Sequence, residues 1–322
     1  MTQMTPVDVV LIGRNEGNRL LRALQAVQGA VRQVIYVDSG STDGSAAAAN
    51  MAGAQVVDLD MSVPFTAARA RNAGFAALDD PQFVQFIDGD CALDPDWIDK
   101  GRSFLDAHPD HALATGWRSE MRPQDSVYNR LCDVEWHRPA GRILTCGGDM
   151  MVRAEAFQGV GGFDPTVIAA EDDEFCTRLR KAGWLLERLP HGMTRNDAAM
   201  TTFGQWWQRA VRTGHGFAQV GFLHPSYFVR ERQRAWIYGA ALPAIAVTGL
   251  VVHWGFPALV CALYGLNWLR TAMGLMRERL SVAEACHQAM FLTLSKFPNL
   301  IGMLTFYRRQ RRGVAMQLIE YK

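Results

Sequence analysis

Two aspartates one residue apart, Asp88 and Asp90, close the most strand-like segment of the chain, Phe83-Val84-Gln85-Phe86-Ile87-Asp88-Gly89-Asp90. An apolar run ending in Asp-Gly-Asp reads as a buried strand that delivers two carboxylates to its C-terminal edge. In an open α/β sheet that edge is where ligands bind. Two carboxylates so close repel each other unless a cation sits between them. Hard oxygen donors suit Mg²⁺ or Mn²⁺, and such ions usually bridge to substrate phosphates. A polar turn after a strand uses the same residue types, so the rest of the chain has to decide.

A second acidic group, Glu171-Asp172-Asp173-Glu174, begins a helical pattern that runs to Gly183. Like-charge neighbours raise at least one carboxyl pKa and make a better base near neutrality. A helix N-terminus pulls the other way, so the sequence leaves the value open.

The elements that hold these groups follow from periodicity. Residues 7–12 form an apolar run ending in Gly13-Arg14-Asn15-Glu16, and Leu20, Leu21, Leu24 and Val27 then recur at helical spacing before Gly29. A second strand over 34–37 ends in Asp38-Ser39-Gly40-Ser41-Thr42-Asp43-Gly44. Asp43 is placed as the N-cap of an Ala-rich helix, and 55–59 is a third strand. A helix over 67–78 precedes the Asp88 strand. This alternation predicts an α/β fold, a parallel sheet with helices on both faces. A helix over 95–107, a strand over 111–116, a Gly-containing stretch over 143–152 and the helix over 171–182 predict a second half on the same sheet.

The chain has 322 residues with 33 Lys+Arg against 32 Asp+Glu, so net charge selects no partner. Arginines dominate after Arg188 and peak at Arg308-Arg309-Gln310-Arg311-Arg312. They hug apolar segments instead of forming a polar basic face, which argues against nucleic acid. Six cysteines without a C-x-x-C pair argue against a zinc site or a disulfide framework and suit a reducing compartment. No basic leader precedes an apolar stretch at the N-terminus, so the soluble part is expected to stay in the cytoplasm.

From Ala235 to Leu269 there is no Asp, Glu, Lys or Arg. A spanning helix needs ~20 apolar residues. The run breaks at His253-Trp254-Gly255-Phe256-Pro257, which predicts a helical hairpin over 235–270. Arg230, Arg232 and Arg234 precede it and Arg270, Arg277 and Arg279 follow it, so both ends are expected on the cytoplasmic side. The next apolar stretch contains Lys296 and Pro298 and ends in the arginine cluster. It is expected to be an interfacial helix, over 285–307, lying against anionic headgroups.

Four segments together resemble a family 2 glycosyltransferase with the GT-A fold, over roughly residues 7–220. They are the first strand with its Arg14-Asn15-Glu16 edge; Val37-Asp38-Ser39-Gly40-Ser41-Thr42-Asp43-Gly44; Ala70-Arg71-Asn72-Ala73-Gly74 followed by Asp88-Gly89-Asp90; and Ala170-Glu171-Asp172-Asp173-Glu174, with Gly161-Gly162-Phe163-Asp164-Pro165 upstream. The resemblance implies a GT-A mixed sheet with helices on both faces at 1–230; the apolar segments beyond it predict a membrane-associated helical region at 231–322.

It also implies roles. Asp38 accepts from a nucleobase N–H, or else is only a turn aspartate. Arg14 lies at the donor edge. Arg71 neutralises a diphosphate or pins the base, unless it is a solvated helix arginine. Asp88 lies near the ribose and Asp90 on the metal. Asp172 is the base for the acceptor hydroxyl, with Asp173 its rival. Gly147-Gly148-Asp149 resembles the floor beneath donor sugar and acceptor; Asp149, Glu171 and Trp207 are assigned to acceptor or sugar, half-buried tryptophans being otherwise common. Arg209 or Arg212 closes over the diphosphate in a loop freed by glycines. Relatives carry a further histidine ligand where this chain reads Met193-Thr194-Arg195-Asn196-Asp197. Asn196 is a poor substitute; Asp197, His191 or His215 are the alternatives, and His215 is expected with Asp88 and Asp90 as a metal ligand.

The expected activity is therefore an inverting, Mn²⁺- or Mg²⁺-dependent transfer of a sugar from a nucleoside diphosphate donor, UDP first. The expected acceptor is a hydroxyl of a lipid-linked or surface-polysaccharide precursor at the cytoplasmic face of the cell membrane. The partners are donor, lipid-linked or saccharide acceptor and membrane lipids, with no nucleic acid. A nucleotidyltransferase ranks lower because the loop after the first strand lacks a lysine. A non-catalytic membrane scaffold is opposed by the three aspartates Asp88, Asp90 and Asp172.

Overall fold

The structure is a computed structural model that describes residues 4–278 and 280–320; Arg279, expected at the end of the hairpin, lies outside them. The chain divides into two compact units, Met1–Thr201 and Thr202–Lys322.

The first unit carries a nine-stranded mixed sheet: β1 (Val7–Gly13), β2 (Val34–Asp38), β3 (Gln55–Asp58), β4 (Phe83–Asp88), β5 (Cys91–Leu93), β6 (His111–Glu120), β7 (Gly141–Arg142), β8 (Met150–Arg153) and β9 (Leu185–Asn196). Their order is β3-β2-β1-β4-β8-β6-β9-β5, with β7 paired to β9. β1 runs parallel to β2 and β4, and β2 parallel to β3. β8 lies antiparallel between β4 and β6, and joins the two halves. Helices α1 (Asn18–Val27), α2 (Ser45–Met51), α3 (Ala67–Ala76), α4 (Trp97–Ala107), α5 (Val127–Trp136), α6 (Ala154–Gly159) and α7 (Glu171–Lys181) complete the unit.

Alternation along each strand feeds two cores. Val9, Leu11, Phe83 and Ile87 pack with Leu20, Leu24, Ile98 and Leu105 on one face. Val10, Ile35, Val37 and Phe86 pack with Ala70, Phe157, Phe163 and Phe175 on the other. β1 is buried on both faces, which is why it reads as one apolar run. α3 lies close against this second face because Gly74 has no side chain: a Cβ there would overlap Val10 Cγ1 and stand 2.9 Å from Val37 Cγ2. Asp43 is not the cap of α2. Gly44 holds that position in the left-handed region, and Asp43 accepts from the Ser45 amide one residue outside it.

The second unit is helical: α8 (Phe203–Leu223), α9 (Val229–Trp236), a π-turn at Ile237–Ala241, α10 (Leu242–Val252), α11 (Gly255–Arg277), α12 (Val282–Leu294) and α13 (Lys296–Arg312). The division at 201/202 differs from the boundary expected at 230, because α8 packs with α13. A Cβ on Gly214 would overlap the Asn299 carbonyl, and one on Gly302 the Val211 carbonyl, so the two backbones meet directly. The stretch expected as one interfacial helix is two helices that meet at Ser295. α13 buries Leu300, Gly302, Met303 and Phe306 and exposes Ile301 and Leu304. It is a packed helix with one bare side. The hairpin turn does fall where the breakers stand, between Val252 and Gly255.

Candidate active site

β4 ends in Asp88, and the following turn carries Asp90 into β5. The Asp88 carboxylate is about one-third exposed and accepts from Arg71 Nη2 at 2.7 Å. Arg71 reaches it from α3, and its Nη1 donates to Glu171 Oε1 at 2.8 Å. Arg71 is 2% exposed and stacks over the Phe163 ring at 5.5 Å. It is therefore neither a solvated helix arginine nor a residue that reaches out to the donor. It is a buried tie between the Asp88 strand and the start of α7, and Glu171 is consumed by it. Neither Arg71 nor Glu171 presents itself to a ligand as expected.

Asp149 also differs from expectation. It is fully buried. Its Oδ1 accepts from the Asp88 backbone N–H at 3.1 Å, and its Oδ2 accepts from Thr194 Oγ1 at 2.9 Å and lies 3.1 Å from Arg118 Nε. With all these partners it is committed inside the fold, and it fixes the backbone at the end of β4. Arg118, from β6, was missed. Its signal was present: like Asp88, it belongs to a polar run, Arg118-Ser119-Glu120, at the C-terminal end of an apolar strand.

Gly147 and Gly148 are required by these two arginines. A Cβ on Gly147 would overlap Arg118 Nη1, and one on Gly148 would overlap Arg71 Nη2. The floor under the site is thus glycine because guanidinium groups fill the space where side chains would stand.

Asp38 ends β2 and is 5% exposed. It accepts from Tyr36 Oη at 3.1 Å and from the Gly40 and Ser41 amides at 3.0 and 2.8 Å. Three of its roughly four acceptor positions are occupied, so it braces the turn and has one position left for a ligand donor. Asn15, in the left-handed region, accepts from the Thr42 amide at 2.8 Å and ties the β1 and β2 edges together. Arg14 is exposed on that edge.

Asp172 is half-buried in the first turn of α7, after Ala170 in the left-handed region. Burial, then Asp173 and Glu171, push its carboxyl well above the usual range, while Arg71 pulls it down. The helix N-terminus does not win here. Burial likewise raises Asp88, with Asp149 and Asp90 adding to it against Arg71.

Ligand atoms of Asp88, Cys91 and Asp149 lie within 4.8 Å of one another. Asp149 is already committed, and burial holds the Cys91 thiol protonated, well above its ordinary range. Cys91 Sγ instead donates to Asp90 Oδ1 at 3.3 Å. The donor set that remains is Asp88 and Asp90, hard carboxylates that fit Mg²⁺ or Mn²⁺.

The proposed third ligands fare differently. Asp197 accepts from Arg122 at 2.8 Å, and its own amide donates to the Asp90 carbonyl at 3.0 Å. His191 is exposed on β9. His215 lies on α8 in the second unit and is fully buried, its ring 5.4 Å from Phe306, with no hydrogen-bond partner among the described residues for either nitrogen. Burial pushes it down to about 4. It is a core histidine packed in the second unit, not the metal ligand expected from the sequence. Trp206 is buried against Phe291; Trp207 and Arg212 are half-buried on the same helix.

The family model described as glycosyl transferase family 2 matches residues 8–151, and that of glycosyl transferase family group 2 matches 83–306. A TPR repeat-containing protein of Synechococcus elongatus is 32% identical over 136 residues, 42% of this chain and 33% of that protein. The pre-mycofactocin glycosyltransferase of Mycobacterium tuberculosis is 25% identical over 306 residues, 89% of this chain and 59% of that protein. The chain thus spans one-third to three-fifths of the length of these relatives. A Pyrobaculum calidifontis mannosyltransferase, solved with GDP-Man and Mn²⁺, shares the fold with a TM-score of 0.62 at 17% identity, covering 95% of this chain and 88% of that one. The Asp-Gly-Asp edge, the glycine floor and the acidic start of α7 thus sit in a recognised frame, and the chain belongs to the family 2 glycosyltransferases, with the GT-A fold.

Proposed function

We propose that the protein transfers a sugar from a UDP-sugar to the hydroxyl of a lipid-linked or cell-surface polysaccharide precursor, with inversion, at the cytoplasmic face of the cell membrane. The observation that carries this is the link Asp172-side helix, Glu171, Arg71, Asp88. One buried guanidinium fixes the base-bearing helix and the metal-bearing strand in a single frame.

Asp38 and the braced turns after β1 and β2 offer the nucleoside its edge, with Arg14 beside it. Asp88 and Asp90 would hold the divalent cation. When bound, that ion offsets the charge growing on the diphosphate. Asp172, with its raised pKa, takes the acceptor hydroxyl proton. The acceptor oxygen attacks the anomeric carbon from the face opposite the diphosphate, and the breaking C–O bond leaves its electron pair on the diphosphate. Gly214 and Gly216 do not free a loop as expected: Arg209 and Arg212 lie on the continuous helix α8 of the second unit, so neither is assigned to the leaving group.

The membrane part rests on the second unit. Two helical segments, Val229–Val252 and Val282–Arg312, are long and apolar enough to cross a membrane. Ile245, Val247, Leu250, Val251, Trp254, Phe256, Leu259, Leu266 and Leu269 are exposed on α10, α11 and the turn between them. An exposed apolar surface of that kind calls for lipid or a partner.

Calorimetry of UDP binding to detergent-solubilised protein, with and without Mn²⁺, tests the donor half. Binding that needs Mn²⁺ and is lost in Asp90→Ala supports the reading. Tighter binding of GDP or dTDP than of UDP would replace the donor, and no nucleotide binding would overturn it.

A further inference from the structure

Three arginines converge beside the glycine floor, on the side away from the Asp38 edge. Arg188 lies on β9 in a row with Thr115 of β6 and Gly141 of β7. Its Nη1 donates to the Pro139 carbonyl at 3.2 Å. Arg138 is exposed one residue earlier in that loop, and its carbonyl accepts from Trp117 Nε1 at 2.9 Å. The Trp117 and His137 rings stack at 5.2 Å and hold the loop against β6. Arg118 is next along β6, its guanidinium 5.1 Å from the Trp136 ring.

The charges do not balance. Arg118 has Asp149. Among the described residues, no carboxylate forms an ion pair with Arg138 or Arg188. Arg188 is half-buried, so solvent does not fully screen it; burial first, and then Arg138 and Arg118, disfavour its charge. Opposite Arg188 on β7 stands Gly141, which carries no side chain, and Arg138 in the adjoining loop is exposed. The loop before the glycine floor also touches the helix that carries the base: Cys146 Sγ lies 3.8 Å from Cys176 Sγ, on α7 one turn after Asp172. Guanidinium pairs in a partly desolvated, open position are the usual receptors for phosphate.

We propose that Arg138 and Arg188, with Arg118 behind them, bind a phosphate group carried by the acceptor, and so hold its hydroxyl at Asp172. This rests on the functional reading above and deepens it: the acceptor is a phosphorylated molecule, either a soluble phosphate ester or a lipid phosphate.

The test is titration of the full chain in neutral detergent, with UDP and Mn²⁺ saturating so that the donor diphosphate position is filled. One arm adds glycerol 3-phosphate; the other adds phosphatidate in mixed micelles, against phosphatidylcholine micelles. Binding in either arm, weakened at least tenfold by Arg138→Gln and by Arg188→Gln and weakened by salt, is the expected result, and the arm that binds tighter names the source. Arg138 is exposed, so its replacement leaves folding intact. Binding that ignores both substitutions, or no binding in either arm while UDP still binds, overturns the phosphate site alone. Failure of UDP to bind is the separate result that would overturn the donor reading.

Discussion

Gly148→Ala is the smallest change that should disable the site. The added Cβ would overlap Arg71 Nη2 and stand 3.0 Å from its Cζ and 3.5 Å from Asp88 Oδ2. The end of an exposed arginine would swing aside at little cost. Arg71 is buried and pinned at 2.7 Å to Asp88 and 2.8 Å to Glu171, so moving it breaks at least one charged hydrogen bond. Each such bond is worth about 1.5–3 kcal/mol, and a carboxylate left unpaired in a buried position costs about 3–5 kcal/mol. The first unit should therefore lose about 3 kcal/mol, read as a lower midpoint in denaturant unfolding. A displacement of Asp88 by about 1 Å should also cost about 10²-fold in turnover. Gly159→Ala, where a Cβ meets nothing within 4 Å, is the matched control and should be neutral or slightly stabilising. In an Arg71→Leu background, Gly148→Ala should cost far less than in the wild type. If Gly148→Ala is as stable and as active as the control, or costs the same in both backgrounds, the buried tie is wrong.

Other outcomes follow from the same geometry. Activity should rise with pH through the raised pKa of Asp172, since only its carboxylate accepts the proton; Asp172→Asn should abolish transfer while UDP binding persists, and an unchanged rate would move the base to Asp173. His215 has a folded pKa of about 4 against 6.5. Its unfolded form therefore binds a proton that the folded form refuses between those values, and the second unit should lose about 3 kcal/mol as pH falls from 7 to 4. His215→Leu should flatten that loss in melts at pH 5 and pH 7; an equal slope in both proteins would contradict the burial argument. Gly214→Ala should loosen α8 from α13, because its Cβ has only the Asn299 backbone to push against. Proteolysis should then release α13 faster than in the wild type, and unchanged protection would refute the close backbone packing.

The first half of the fold was legible because β1, β2 and β4 are unbroken apolar runs separated by helical periods. β9 was not. Leu185-Leu186-Glu187-Arg188-Leu189-Pro190-His191 mixes polar residues and a proline into a strand that borders the sheet's irregular half. The site aspartates were visible as local motifs at strand ends. The ties between them were not, since Arg71 meets Asp88 17 residues away and Glu171 100 residues away. Nothing in a one-dimensional pattern told a donor-facing arginine from a buried one. Asp149 and His215 misled for the same reason: both are chemically able residues that the fold fully buries, the first among partners and the second among apolar neighbours.

The most direct measurement is nucleoside diphosphate release from UDP-, GDP- and dTDP-sugars by detergent-solubilised protein with Mn²⁺ or Mg²⁺. It is run with a phosphorylated lipid acceptor, beside Asp90→Ala and Asp172→Asn. The account predicts release from a UDP-sugar that needs the metal and both aspartates. Release that survives chelation and either substitution would contradict it.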